Sequence, residues 1–410
     1  MKEIIVPEYI KDFKCIASAC EDTCCIGWQV NIDKKTYKKY NKCKNKKIKN
    51  LLNKYITRNR SNPNDFYYAK IRLNEGEICP FLDKEKLCTI QKELGEDYLS
   101  DTCSTYPRFY NLVDDVLEKS ATLSCPEIAR RALLNSEGID FEQIEEVVER
   151  GNIIQVLNTK EVDAFGSIKK YFWDLRIFSI QLLKSRDYSI AERLIILGMF
   201  FDKVQKYIEE NNINEIPQLI EYYVDKITRG IFKNTIKSIT PQPAVQMKIL
   251  KELADERICL GINNQRYLEC FNEFLEGIQY TENLKEEEIV ERYNEAYVRY
   301  YKIFMDKHEY ILENYIVDYI YKNLFPVAGK ESVFDNYVML VINYALIKMH
   351  LIGMAGYHKE NFNVEHIIKL IQSFTKVVAH NNSFIEHIYN LLKQNNFISM
   401  AYMAIFIKNS

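Results

Sequence analysis

The 410-residue chain lacks the features that define several large classes of protein. Its net charge is only −2, which gives no overall attraction to nucleic acid or anionic lipid. The opening MKEIIVPEYI has no apolar run followed by a small-residue cleavage site, so we expect no secretory signal and a cytoplasmic protein. Its 13 glycines are scattered, and no Gly-x-Gly motif follows a predicted strand, which argues against a Rossmann-type nucleotide loop.

Long uninterrupted apolar runs are also scarce. The most apolar window, Tyr337 to Tyr357, contains Asn343, Lys348 and His350. A membrane span would not readily carry these groups, so we predict a buried helix in a globular core. Partners are therefore expected to include neither nucleic acid nor a membrane, and the oligomeric state is open.

Cysteine is abundant but concentrated at one end of the chain. Nine of the 11 cysteines precede residue 126, whereas all six histidines follow residue 300. In a reducing compartment, clustered thiols indicate metal binding or redox chemistry rather than disulfides, and the ligand set favoured here is all cysteine. The predicted metal ligands are Cys15, Cys20, Cys24, Cys25, Cys79, Cys88, Cys103 and Cys125. We interpret Cys43, Cys259 and Cys270 as structural.

The spacing of the cysteines indicates a metal site but leaves open whether the metal is zinc or iron. Cys20-x3-Cys24 loosely fits the paired knuckles of a zinc site, but the adjacent Cys24 and Cys25 do not, because neighbouring side chains diverge. A cluster with several irons accommodates adjacent thiolates better. Eight thiolates suffice for two four-thiolate centres, or for one cluster plus spare thiols, and zinc is the alternative metal.

The pattern of apolar residues predicts a mainly α protein. A small cysteine-rich α+β region is expected over residues 1–135, followed by an all-helical domain over residues 136–410. Residues 1–14 are interpreted as an arm, residues 101–108 as a cysteine loop and residues 109–123 as a hairpin. Alternating apolar residues predict strands near 26–32 and 67–73, and Asp33 is placed to cap a helix. From about residue 140 onward the pattern is helical.

Three segments carry a resemblance to a known family: DFKCIASACEDTCCIGWQVNIDKKTYKKY, CPFLDKEKLCTIQKELGEDYLSDTCSTYPR and SCPEIARRALL. They resemble the flagellin lysine-N-methylase family, and ENYIVDYIYKNLFP and VVAHNNSFIEHI extend the similarity through most of the chain. The cysteine region is also similar to a broader group of zinc- or iron-chelating proteins with a Cys-x2-Cys-x2-Cys-Cys pattern.

The resemblance implies N-methylation of lysine side chains on flagellin in the cytoplasm. It implies S-adenosylmethionine as methyl donor and an iron–sulfur cluster of the 4Fe–4S type. By position, the eight predicted ligands match the family's cysteines. The resemblance does not say which four of them bind a given cluster.

The role of a cluster in amine methylation is open, because that chemistry needs no iron. In radical enzymes, the cluster that binds the methyl donor directly is held by a Cys-x3-Cys-x2-Cys motif. In this chain, Gly27 stands where the third cysteine of that motif would be. A structural cluster that orders a loop-rich domain is the other interpretation.

Other candidate site groups lie beside the cysteines or in the helical half. They are Trp28, Asp101, Tyr106, Arg108, Glu127, His380 and Asn381, and each has a structural interpretation as well. Arg108 suits either a carboxylate of a ligand or a salt bridge that supports the cysteine loop. His380 and Asn381 suit a helix junction. Two functions of other classes also fit the cysteines: a non-enzymatic zinc- or iron-binding or delivery protein, and an iron–sulfur redox protein.

Overall fold

The structure is a computed structural model that describes residues 2–61, 64–146, 153–161, 167–281 and 285–409. The chain packs as two compact units. Unit 1 comprises Met1–Ala129 and Phe141–Val156, and unit 2 comprises Arg130–Asp140 and Leu157–Ser410. Helices predominate, which confirms the predicted mainly α class. The division predicted between residues 135 and 136 stays a prediction.

Unit 1 contains two small sheets. The strands are β1 (Lys2–Pro7), β2 (Asn31–Ile32), β3 (Ile56–Arg58), β4 (Ala69–Ile71), β5 (Arg108–Val113), β6 (Val116–Ala121), β7 (Phe141–Glu146) and β8 (Ile153–Leu157). One sheet has the order β7-β1-β6-β5-β8, and the other has the order β2-β4-β3. The predicted hairpin is confirmed: β5 and β6 pair antiparallel from Arg108↔Ala121 to Val113↔Val116.

Two segments of the larger sheet were predicted wrongly. Residues 1–14 are not an arm, because β1 lies inside the sheet, parallel to β6 and antiparallel to β7. Ile4 and Val6 on this strand are completely buried. Residues 141–157 were expected to be helical, but Phe141–Glu146 pairs along the whole of β1. Pairing with a distant strand overrides the weak local preference of these residues.

The helices of unit 1 are short. They are α1 (Glu8–Lys11), α2 (Lys34–Asn41), α3 (Lys46–Tyr55), α4 (Thr89–Leu94), α5 (Asp101–Thr105) and α6 (Pro126–Leu133), the last of which continues into unit 2. The Asp33 carboxylate accepts a 2.8 Å hydrogen bond from the Thr36 N–H, which confirms the predicted cap of α2. The predicted loop at residues 101–108 is partly wrong, because Ser100 caps α5 through its side chain.

Unit 2 is built from longer helices. They are α7 (Phe172–Leu183), α8 (Ile190–Glu209), α9 (Ile216–Thr228), α10 (Phe232–Lys237), α11 (Pro243–Cys259), α12 (Gln265–Gly277), α13 (Glu286–Ala296), α14 (Lys302–Met305), α15 (Tyr310–Lys322), α16 (Val333–His358), α17 (Val364–Phe374), α18 (Asn382–Gln394) and α19 (Met400–Ile407). The chain also forms two π-helical turns. One, Tyr297–Tyr301, joins α13 to α14, and the other, Thr375–Ala379, follows α17.

Helix α16 forms the centre of unit 2, and α8, α12, α13, α17 and α19 pack around it. The stretch Val333–Asn361 is long and apolar enough to cross a membrane, but its most apolar window is entirely buried within the structure. The predicted buried helix is therefore confirmed as far as Ala355, while Tyr357 is exposed. Gly353 and Gly356 lie where α16 crosses the backbone of α12 at Phe274 and Gly277.

Candidate functional site

Several of the cysteine segments pack against one apolar core in unit 1. The small sheet β2-β4-β3 and helices α2, α3 and α4 enclose a core that includes Ile32, Ile71 and Phe81. Cys79 is a buried member of this core, and Cys25, Cys88 and Cys103 pack against it. Thiols from four of the predicted ligand segments thus meet at one core, against which Cys43 also packs.

Cys25 and Cys79 are held side by side by main-chain pairing. The Cys79 N–H donates to the Cys25 carbonyl oxygen at 2.8 Å, and Ile26 and Ile78 form an antiparallel bridge. The Cys25 thiol forms hydrogen bonds with Cys24 and Cys79. The bond with Cys24 lowers the pKa of Cys25, but the bond with Cys79 and burial raise it well above its usual value.

Cys88 and Cys103 sit at the starts of two short helices. Cys88 precedes α4, and the N–H groups of Ile90 and Gln91 point to its sulfur. Burial raises the pKa of the Cys88 thiol, and it raises that of Cys103 to about 12. Both thiols interact electrostatically with Cys24. We call Cys24, Cys25, Cys79, Cys88 and Cys103 the thiol cluster.

The other three predicted ligands form a second set, the three-thiol group of Cys15, Cys20 and Cys125. Burial raises the pKa of Cys125 to about 12, although the N–H groups of Glu127 and Ile128 at the start of α6 favour its thiolate. Cys125 interacts electrostatically with Cys20 and Cys15. The eight predicted ligands are therefore divided five and three.

Several candidate groups lie between or beside these sets of thiols. The Tyr106 hydroxyl is 3.2 Å from the Ser124 hydroxyl, and this tyrosine interacts with both Cys125 and Cys24. The Trp28 indole donates to the Cys24 carbonyl oxygen at 2.7 Å, and its ring lies 5.8 Å from that of Tyr106. These aromatic groups order the cysteine loops.

The charged candidates take structural positions. The Asp101 N–H donates to the Asp33 carboxylate at 3.0 Å, which ties α5 to the cap of α2. The Arg108 guanidinium lies 5.1 Å from the Phe13 ring centroid, in the geometry of a cation–π contact. The predicted helix junction is also seen in the structure: Asn381 caps α18 through the Phe384 N–H, directly after His380.

The thiol cluster has the donor chemistry of an iron–sulfur site. Its donors are all sulfur, they come from turn-like segments, and main-chain N–H groups point to one of them, as is usual around cluster ligands. Over the described ranges, no three Cys, His, Asp or Glu side chains already have the geometry of a metal site.

A second candidate site, which the sequence did not predict, is a cavity of about 700 Å³ in unit 2. It is lined by the π-turn at Tyr297–Tyr301, by parts of α8, α15 and α16, and by the segment after α10. Lys348 and Glu309 lie in its interior lining. The one signal for it in the sequence is Lys348, a basic residue in the middle of an apolar helix.

Comparison with known proteins places the chain in a family. Residues 176–406 match the family model described as the FliB lysine N-methylase C-terminal domain, and the chain belongs to this family. No solved structure matches significantly.

Curated relatives extend the similarity to nearly the whole chain. The chain is 26% identical over 391 residues to a protein of Salmonella choleraesuis named Lysine-N-methylase, covering 93% of this chain and 94% of the relative. The same identity and coverage hold for a Lysine-N-methylase of Salmonella typhimurium. A protein of Salmonella muenchen named Flagellar biosynthetic protein FliU is 38% identical over 135 residues, which cover 32% of this chain and 79% of that protein.

Proposed function

We propose that this protein is a methyltransferase that methylates the side-chain amines of lysines in flagellin, with S-adenosylmethionine as the donor. The observation that carries this proposal is the match to proteins named Lysine-N-methylase over 93% of the chain. The similarity to a protein named for flagellar biosynthesis supports a flagellar substrate. The reaction takes place in the cytoplasm and requires neither nucleic acid nor a membrane.

The transfer is a displacement at the methyl carbon. The neutral lysine amine attacks the methyl group, a C–N bond forms, and the C–S bond breaks to leave S-adenosylhomocysteine, while the amine loses a proton. The protein must therefore hold the two reactants in line and exclude water from the amine, so that it stays unprotonated.

The thiol cluster supplies the ligands for an iron–sulfur cluster of the 4Fe–4S type in this proposal. Its role is to order unit 1, where the cysteine segments otherwise have little regular structure. Gly27 stands where a third cysteine would complete the radical-type motif, and this supports a structural role over radical chemistry. Zinc bound to the same thiols is the alternative.

The test is a methylation assay with purified, unmodified flagellin and labelled donor under anaerobic, reducing conditions. We expect label on lysine side chains, located by mass spectrometry of the digested flagellin. Metal and acid-labile sulfide are measured on the same preparation. Stoichiometric zinc without sulfide would replace the iron–sulfur assignment, and the absence of labelled lysine with a metal-replete protein would reject the enzymatic one.

A further inference from the structure

The cavity of unit 2 is shaped by an uncommon piece of backbone. The helix that begins at Glu286 widens into a π-turn at Tyr297–Tyr301 before α14. Such turns are rare and often mark functional sites, because the extra residue re-aims the side chains around it. Here the turn places Tyr297 and Tyr301 on the cavity wall, with ring centroids 5.7 Å apart at 26°.

The lining of this cavity includes a buried basic group, Lys348, and a partly exposed acidic group, Glu309. Lys348 is 5% exposed, and its ammonium donates to the Ile407 carbonyl oxygen at 2.8 Å. Among the residues that the structure describes, this carbonyl is the one acceptor bonded to that nitrogen, so two N–H groups remain available to a ligand.

Glu309 is the acidic counterpart. Arg193, itself buried, donates to its carboxylate at 3.0 Å and holds it in place, and Glu309 is close enough to Lys348 to interact electrostatically. The other charged side chains of the lining differ from this pair. Lys233 and Lys237 are exposed, Lys302 pairs with Asp306 at 2.8 Å, and Lys408 donates to two main-chain carbonyls. The Glu192 carboxylate accepts from the Ser189 N–H at the start of α8.

Aromatic faces complete the interior. The Lys348 nitrogen lies 5.7 Å from the Tyr297 ring centroid and 5.8 Å from that of Tyr344. Tyrosine rings attract cations that carry no N–H donors, such as quaternary ammonium groups, and a sulfonium is a cation of the same kind.

We propose that this cavity binds the methyl donor, an S-adenosyl amino acid, with its α-carboxylate toward Lys348, its α-amino group toward Glu309 and its sulfonium against the tyrosines. The inference rests on the proposed function for the choice of ligand. The size of the cavity, a buried amine with N–H groups to donate, a carboxylate held by Arg193 and aromatic walls suit a zwitterionic amino acid joined to a sulfonium and a nucleoside. The alternative occupant is the lysine side chain of the substrate protein. Five lysines line the cavity, and their positive charge disfavours another cationic side chain there.

The first test is calorimetric binding of S-adenosylhomocysteine to the full-length, metal-replete protein. The variant Lys348→Met keeps the length of the side chain and removes the charge, and we expect it to weaken binding by about 10- to 100-fold. Lys322→Met on α15, at another lysine in a desolvated environment and outside the lining, is the matched control and should bind within about twofold of the unmodified protein. Lys348→Met should unfold at the same temperature or higher, because a buried amine is removed.

The second test locates the ligand by hydrogen exchange. We expect S-adenosylhomocysteine to protect segment 297–309 and the helix around Lys348. Protection confined to the cysteine segments, or unchanged affinity of Lys348→Met, would overturn the inference while leaving lysine methylation intact. The proposed function fails separately, if the protein binds the donor as expected but never labels lysine. Absence of any donor binding would reject both.

Discussion

The Cys79 N–H donates to the Cys25 carbonyl oxygen at 2.8 Å, and this bond holds together two cysteines that are far apart in sequence. It fixes the two main chains relative to each other, and the Cys25 and Cys79 thiols interact directly. Strand-like main-chain pairing thus positions two members of the thiol cluster.

The proposed iron–sulfur cluster predicts that replacing a member of the thiol cluster removes iron and sulfide. We expect Cys88→Ser and Cys103→Ser to lose most of the bound iron and sulfide, because each thiol comes from its own segment and has no substitute there. Cys43→Ser and Cys259→Ser are matched controls from outside the predicted ligand set. Elemental analysis after anaerobic purification gives the result, and equal iron in Cys88→Ser and Cys43→Ser would contradict the assignment.

The buried ion pair between Arg193 and Glu313 should matter strongly for stability. The two groups are 2.6 Å apart and each is 1% exposed, and Arg186 also donates to Glu313 at 2.9 Å. Glu313→Leu leaves the Arg193 charge without this partner, and we expect a loss of about 3–5 kcal/mol in the free energy of unfolding. Lys206→Met, which removes the exposed pair with Asp202, should cost less than about 1 kcal/mol. Denaturant unfolding of both variants measures the difference, and similar costs would contradict it.

Gly353 should resist even the smallest side chain. A Cβ atom there would lie 2.5 Å from the Phe274 carbonyl oxygen and 2.8 Å from its Cα, both on the backbone of α12. Helix propensity alone predicts that Gly353→Ala stabilises α16 by about 1 kcal/mol. Packing predicts the opposite sign, a loss of about 1–3 kcal/mol or more, because two helices must separate. A thermal unfolding scan decides between them, and a raised Tm would show that the crossing can relax.

His350 should make the protein sensitive to acid. It is fully buried, its Nε2 accepts from the Tyr267 hydroxyl at 3.3 Å, and its Nδ1 donates to the Leu346 carbonyl oxygen at 2.7 Å. Burial lowers the pKa of His350 to about 4 from its usual 6.5, despite the opposing effect of the Leu346 carbonyl.

Because the unfolded chain takes up the proton first, this histidine's contribution to stability is complete above about pH 6.5 and is lost as the pH falls toward 4. His350→Phe should flatten the fall in stability over that range. Unfolding measured from pH 7 to pH 4 tests this, and parallel curves for the two proteins would contradict it. His387→Ala, at an exposed histidine, is the control and should follow the unmodified protein.

Local features of the chain were predictable where a short segment specifies its own structure. Asp33 caps its helix, and the turn at Asp114, with a φ of 53°, lies within the predicted hairpin. The buried helix α16 was also predictable, because polar residues interrupt its apolar run. The place of β1 inside a sheet was not, because its partners come from residues 116–121 and 141–146 and leave no local signal.

The sequence by itself determined the class of the fold, the set of eight candidate thiols and the family resemblance, because composition, periodicity and spacing are local properties. Only the tertiary structure brings Cys25, Cys79, Cys88 and Cys103 to one core and places Cys125 near Cys15 and Cys20, because these residues come from separate segments. It also decided that Lys348, Glu309 and three tyrosines line one cavity. Those residues come from separate helices, and only the packing of α15, α16 and the π-turn brings them together.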